Sequence, residues 1–215
     1  MPKIILIENE MLTAATMRAA LEQHENYTVP SIYTEGLTFL EVASTLSFDL
    51  VLMDIGMPEI DGIALLMQLK EQCPTAKVIM LSSHRDTDNV YLAFQQGASG
   101  FISKTSDLSE VFQGVEEVLS GKAPYFSSTI PTDIATQVKK SLTTGIWPKI
   151  SYITATEKRI VQHLAKGLTT KEIASTLKLS TRTIECHRRN MMEKLDAPNI
   201  ASLISTLTQR GILNL

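Results

Sequence analysis

Cysteine is scarce in this chain of 215 residues, tryptophan occurs once, and no apolar run is long. Each shortage excludes something. Two cysteines, Cys73 and Cys186, stand far apart and make neither a disulfide framework nor a thiolate cluster for a metal. A reduced intracellular compartment is the expectation. The longest apolar runs, such as 4–7 and 50–53, fall far short of the roughly 20 residues that a membrane-spanning helix needs. The N-terminus lacks the basic stretch and apolar core of a secretory signal, so a cytoplasmic protein with no membrane partner is expected. Basic residues are scarce in one half only. Residues 1–120 carry 6 Lys and Arg against 17 Asp and Glu, a net of −11, whereas residues 121–215 carry 14 against 6, a net of +8. That division suggests two halves with different partners, the basic one suited to nucleic acid, although a solvated surface would look the same.

The acidic half alternates short β-branched runs with amphipathic stretches. Residues 3–7, 27–33, 49–54, 77–81 and 100–102 read as strands, most of them apolar throughout, as strands covered on both faces are. Helical patterns lie between and after them, near 11–24, 35–46, 61–71, 86–96 and 107–119. Fivefold βα alternation predicts a five-stranded, doubly wound parallel sheet with helices on both sides. Functional groups in such sheets gather beyond the carboxyl ends of the strands. At those ends stand Glu8-Asn9-Glu10, Asp54, Ser82-Ser83 and Ser103-Lys104. One rim thus collects acids, hydroxyls and an amine.

A carboxylate accepts a phosphoryl group when a divalent cation neutralises the incoming charge and a cation or hydroxyl steadies its oxygens. Mg2+ or Mn2+ needs oxygen ligands and keeps several waters, so one or two carboxylates suffice. Asp54 with Glu8 and Glu10 could supply them, Ser82 could hydrogen-bond a phosphoryl oxygen, and Lys104 could pair with it. Taken singly, Glu8 and Glu10 read as solvated loop acids, Lys104 as a surface lysine and Ser82 as a helix cap. Their joint placement at strand ends favours the phosphoacceptor reading.

Residues 122–150, with Gly121 just before them, hold Pro124, Pro131, Gly145 and Pro148 and many Ser and Thr, and read as a linker with a possible helix over 134–142. This divides the chain into domains at 1–121 and 151–215. Only helical patterns follow. Thr154-x-x-Glu157 has capping-box spacing and opens a helix to about 166 that Gly167 closes. Thr169-x-x-Glu172 repeats the cap for a short helix to about 177. Ser180 can cap a third, to about 195, and after Pro198 a fourth runs near 199–210. Two helices joined by the turn at 178–180 make a helix-turn-helix, whose second helix enters the major groove of double-stranded DNA. On that helix Ile184, His187, Met191 and Leu195 share an inward face, so His187 reads as a core histidine and not a metal ligand.

Two resemblances rest on these residues. Val51–Pro58 with Asp61-Gly62, and Gly97–Lys104, resemble the phosphorylation loop and fifth strand of response-regulator receiver domains. Residues 154–157, 165–174, 179–187 and 192–195 resemble the LuxR-type DNA-binding domain of NarL/FixJ-like regulators. The first implies a flavodoxin-like fold in which a sensor histidine kinase phosphorylates Asp54. Magnesium would be held by positions 8–10, Asp54 and the Gly56 backbone, while Ser82 and the aromatic Phe101 rearrange. The second implies that Glu185, Cys186 and Arg189 face bases, and that Lys171, Ser180, Arg182, Arg188 and Lys194 contact phosphates, which set register without reading sequence. It also makes Ile200, Leu203, Ile204 and Leu207 a homodimer stripe, or equally the core of a small domain. Two departures stand out. Asn9 replaces the second acid of the family's pair, which weakens metal binding, and Phe101 replaces a frequent tyrosine.

A phosphorylation-controlled transcription regulator is the leading expectation. An aspartyl-phosphate enzyme of the dehalogenase type would carry an acid two residues after Asp54, where this chain has Gly56. A DNA-binding regulator governed by a partner or ligand, without phosphorylation, stays open because of Asn9.

Overall fold

The computed structural model describes residues 1–23, 27–58, 60–83, 87–147, 153, 155–177, 179, 181–209 and 213, except the side chains of Thr87, Asp88, Ala155, Arg182 and Cys186. The chain divides into two compact units, Met1–Pro148 and Lys149–Leu215.

The first unit runs β1 (Lys3–Ile7), α1 (Met11–Gln23), β2 (Thr28–Tyr33), α2 (Gly36–Val42), a 3-10 turn at Ala43–Thr45, β3 (Leu50–Asp54), α3 (Gly62–Gln72), β4 (Val78–Ser82), α4 (Thr87–Gln95), β5 (Gly100–Ser103), α5 (Leu108–Leu119), β6 (Tyr125–Phe126) and α6 (Thr132–Thr144). All strands are parallel, in the order β2-β1-β3-β4-β5-β6. The period of two sorts the strands into faces. Ile4, Leu6, Leu50, Leu52, Ile79, Leu81 and Ile102 form one core with Ala14 and Leu21 of α1 and Val111, Val115 and Val118 of α5. The alternate residues Ile5, Ile7, Val51, Met53, Met80 and Phe101 are equally buried on the opposite face. A side chain of this kind contributes about 1.5–3 kcal/mol when fully buried, which is why the strands read as unbroken apolar runs.

The sheet has six strands where the sequence predicts five. β6 pairs with β5, Gly100 opposite Tyr125 and Phe101 opposite Phe126. Tyr125 lies in the α1/α5 core, where the missing side chain of Gly114 makes room: a Cβ there would stand 2.8 Å from the Tyr125 ring. The helix expected near 134–142 exists as α6, and it packs against α4. The segment 122–150 is therefore not a free linker over most of its length. Two aromatic residues anchor it, and a two-residue strand carries too little pattern to be read from sequence.

The loop after β3 explains the spacing of its motif. The Asp61 carboxylate accepts a hydrogen bond from the Ile63 amide at 2.9 Å and caps α3. Gly62 lets the helix start press on β3, since a Cβ would meet the Asp54 carbonyl at 2.3 Å.

The second unit comprises α7 (Ala155–Ala165), α8 (Thr170–Leu177), α9 (Thr181–Lys194) and α10 (Ile200–Gln209). Its core joins Ile160, Val161, Ile173, Leu177, Ile184, Met191, Leu195, Leu203 and Leu207. Gly167, with φ of 81°, ends α7 in the left-handed conformation. The Thr169–Glu172 capping box forms as expected: the Thr169 amide donates to the Glu172 carboxylate at 2.8 Å, and the Glu172 amide reaches the Thr169 hydroxyl at 3.4 Å. Thr154, expected to cap α7, lies outside the described residues, as does Ser180.

Candidate functional site

β1 leads to β2 on one side while β3 and the later strands continue on the other, so the carboxyl ends of β1 and β3 border the crevice where strand order reverses. Glu8 follows β1 and Asp54 closes β3. Both are buried, at 1% and 4% exposure. Lys104, just beyond β5, places its ammonium 2.6 Å from Glu8 Oε2 and 3.0 Å from Asp54 Oδ2. Its own backbone N–H donates to the Ser82 carbonyl at 2.7 Å, which fixes the lysine beside β4. Asp54 Oδ1 accepts from the Gly56 amide at 3.0 Å. The structure thus brings Glu8, Asp54, Gly56 and Lys104 into one network, with Ser82 at the end of the adjoining strand.

The electrostatics follow from burial. Burial disfavours the Glu8 carboxylate and the Asp54 charge adds to the effect, so its pKa is raised despite Lys104 and the Glu10 amide. Burial also opposes the Lys104 charge, but Glu8 and Asp54 together outweigh it and hold that ammonium above the ordinary lysine value. Two carboxylates share one ammonium, leaving one negative charge in excess. Glu8 Oε2 and Asp54 Oδ2 both face the lysine. An oxygen-only donor set with surplus negative charge fits a hard divalent cation.

Glu10 departs from its expected place. It is exposed, and its carboxylate accepts from the Thr13 hydroxyl at 3.0 Å, at the start of α1 and outside the Glu8–Lys104–Asp54 network. Among the described residues no three His, Cys, Asp or Glu side chains form a metal-holding group. Asn9 is half-buried, and Phe101 is completely buried.

In the second unit, α9 carries the residues expected at DNA. Lys171, Glu185 and Arg189 are exposed. Glu185 and Arg188 are joined at 2.7 Å, and both bond the Thr170 hydroxyl at 2.7 Å, a clasp between α8 and α9 that sequence spacing does not reveal. Lys194 is not a free cation: it pairs with Glu157 at 2.9 Å, and Glu157 is only 2% exposed. His187 is buried, as its place on the inward face predicts, and burial lowers its pKa, with Glu157 acting the other way. Of the α10 stripe, Leu203 and Leu207 are fully buried in the unit's own core, while Ile200 and Ile204 are partly exposed. The stripe is therefore half core.

Among the described residues no helix is long and apolar enough to cross a membrane. Comparison with known proteins agrees with the geometry. Residues 4–116 match the response regulator receiver domain, and residues 151–207 match the bacterial regulatory proteins of the luxR family. The transcriptional regulatory protein MctR of Rhizobium johnstonii is 30% identical over 99% of this chain and 95% of its own. The fimbriae Z protein of Escherichia coli K12 is 27% identical over 94% and 93%. RcsB of Salmonella enterica serovar Typhimurium, solved on promoter rprA with the phosphomimetic BeF3-, shares the fold with a TM-score of 0.58 at 18% identity, over 96% of this chain and 98% of that one. The matching families and MctR are transcriptional regulators and not enzymes. The chain belongs to the LuxR-family response regulators, DNA-binding proteins in which a receiver domain precedes a helix-turn-helix.

Proposed function

We propose that Asp54 accepts a phosphoryl group from a sensor histidine kinase and that its phosphorylation controls dimerisation and promoter binding. One observation carries this reading: a buried aspartate at a strand end is held 3.0 Å from a lysine that it shares with a second buried acid. In the transfer, an Asp54 oxygen bonds phosphorus while the phosphorus–nitrogen bond of the donor imidazole breaks and the ring nitrogen takes up a proton. Lys104 supplies a counter-charge for the phosphoryl oxygens, and the Gly56 amide orients the attacking carboxylate. Glu8, Asp54, Asn9 and the Gly56 carbonyl would hold Mg2+ or Mn2+, which neutralises charge on the transferring group. With Glu10 turned outward, the site has one acid fewer than the sequence suggests, and weak metal binding follows.

On DNA, Arg189, Glu185 and Cys186 are proposed to face bases. Lys171, Ser180, Arg182 and Arg188 contact phosphates, and Lys194 leaves that group because Glu157 holds it. Ile200 and Ile204 remain for a second copy. RcsB, which shares the fold and was solved on a promoter with a phosphomimetic, supports the DNA-binding part of this reading.

Intact-mass spectrometry after incubation with acetyl phosphate and Mg2+ tests the phosphoacceptor. One phosphoryl group on wild type and none on Asp54→Asn is expected. Asn9 favours a second reading, a regulator that works without phosphorylation, and an unmodified wild type at saturating Mg2+ selects it.

A further inference from the structure

The geometry points to β6 and α6 as a strap that the occupied phosphoacceptor site loosens, and we propose that this release is how the receiver unit signals along the chain. The inference rests on the reading of Asp54 as phosphoacceptor.

The strap is fastened beside the site. Ser103, covalently next to Lys104, donates its amide to the Ser127 hydroxyl at 3.2 Å. The Ser127 amide donates to the Phe101 carbonyl at 3.1 Å, and the Tyr125 amide to the Ser99 carbonyl at 3.1 Å. The Glu110 carboxylate takes the Ser128 amide at 2.8 Å. On the opposite face from Tyr125, the Phe126 ring lies 4.7 Å from that of Phe94 on α4, with Lys139 of α6 5.7 Å above it. From Lys104, then, one covalent neighbour and one hydrogen bond reach the strap, and one ring contact reaches α4. α6 is the last described helix before the second unit in the chain.

Lys104 already touches both carboxylates, at 2.6 and 3.0 Å. A phosphoryl group on Asp54 enters this contact, and Lys104, in pairing with its oxygens, draws Ser103 and the end of β5 with it. The fastenings are least able to follow there. A two-residue strand is far below the length that is stable alone, and among the described residues the buried Ser141 hydroxyl of α6 has no hydrogen-bond partner, which weakens its docking. Packed cores shift between discrete arrangements and do not deform smoothly, so a small displacement at Ser103 breaks the contact.

Hydrogen exchange on the full chain tests this, with Mg2+ alone and with beryllofluoride plus Mg2+. Exchange over 125–144 is expected to quicken about fivefold or more on beryllofluoride, the range of ordinary coupling, while exchange around 50–58 slows. Phe126→Leu should quicken exchange over 125–144 without beryllofluoride. Because coupling is reciprocal, it should also tighten beryllofluoride binding by a similar factor, which a merely structural role of Phe126 would not do. Protection at 50–58 with unchanged or slower exchange at 125–144 overturns the strap. So does a loosened Phe126→Leu with wild-type beryllofluoride affinity. No response in either segment overturns the phosphoacceptor reading and the strap with it.

Discussion

Lys194 at the end of α9 grips both oxygens of the Glu157 carboxylate, at 2.9 and 3.0 Å, from thirty-seven positions along the chain. A cation on the recognition helix is thereby committed to holding α7. Removing one partner of a buried pair costs about 3–5 kcal/mol, and the partial exposure of Lys194 places it toward the lower end. Lys194→Met should accordingly lower the unfolding midpoint of the second unit and leave the salt dependence of DNA binding unchanged. Lys171→Ala, at an exposed residue proposed to contact phosphate, should do the reverse, with little change in stability and a salt slope smaller by about one. Thermal denaturation paired with a salt titration of binding separates the two.

The same cluster makes a pH prediction. His187 is buried beside Glu157 and Lys194, and burial keeps its folded-state pKa below the ordinary value of 6.5. The unfolded chain therefore binds the proton more readily than the folded one. The stability this contributes is complete above pH 6.5 and is lost as pH falls through 6.5 toward the lowered value. Denaturant midpoints of the second unit should decline over that window, and His187→Gln should flatten the decline.

Glu8 predicts a gain. Its folded pKa is raised above 4.5, so its charge disfavours the fold at neutral pH, and the protonated form is the better fitted one. Glu8→Gln should raise the melting temperature of the first unit at pH 7, with the difference vanishing below pH 4.5. Phosphorylation should weaken in the same variant, as expected where stability is given up for a site. Calorimetry of both proteins across pH decides it.

Gly62 is required by contact and not by backbone conformation. With the Asp54 carbonyl 2.3 Å and the Ile55 Cα 2.6 Å from where a Cβ would stand, Gly62→Ala must push α3 away from β3. Overpacking of this kind costs about 1–3 kcal/mol. Slower phosphorylation of Asp54 should accompany the lower denaturant midpoint.

How legible the molecule is in its sequence depended on the length of each signal. Most of the first five strands are short, largely apolar runs of four to six residues, and acids, hydroxyls and Lys104 at the ends of β1, β3, β4 and β5 announce the rim. Tyr125 and Phe126 are two residues amid prolines and serines, so their strand has no period to detect, and only pairing with β5 defines it. Lys194 has the right chemistry for the role expected of it, but Glu157 holds it, and a partner thirty-seven positions away leaves no mark on local spacing, whereas Glu10 bonds Thr13 three residues on. The inward face of α9 was readable because Ile184, His187, Met191 and Leu195 repeat at helical spacing, whereas the bond from Thr170 to Glu185 joins two helices and was not.

Control by Asp54 of what α9 does on DNA is the centre of the proposed mechanism. Affinity for a promoter fragment, measured for wild type and Asp54→Ala with and without acetyl phosphate plus Mg2+, is its most direct test. Wild type should bind about 5-fold or more tightly when phosphorylated, the lower end of ordinary coupling, while Asp54→Ala should bind alike in both conditions. Equal affinity for wild type with and without the donor, at full modification of Asp54, would contradict the account.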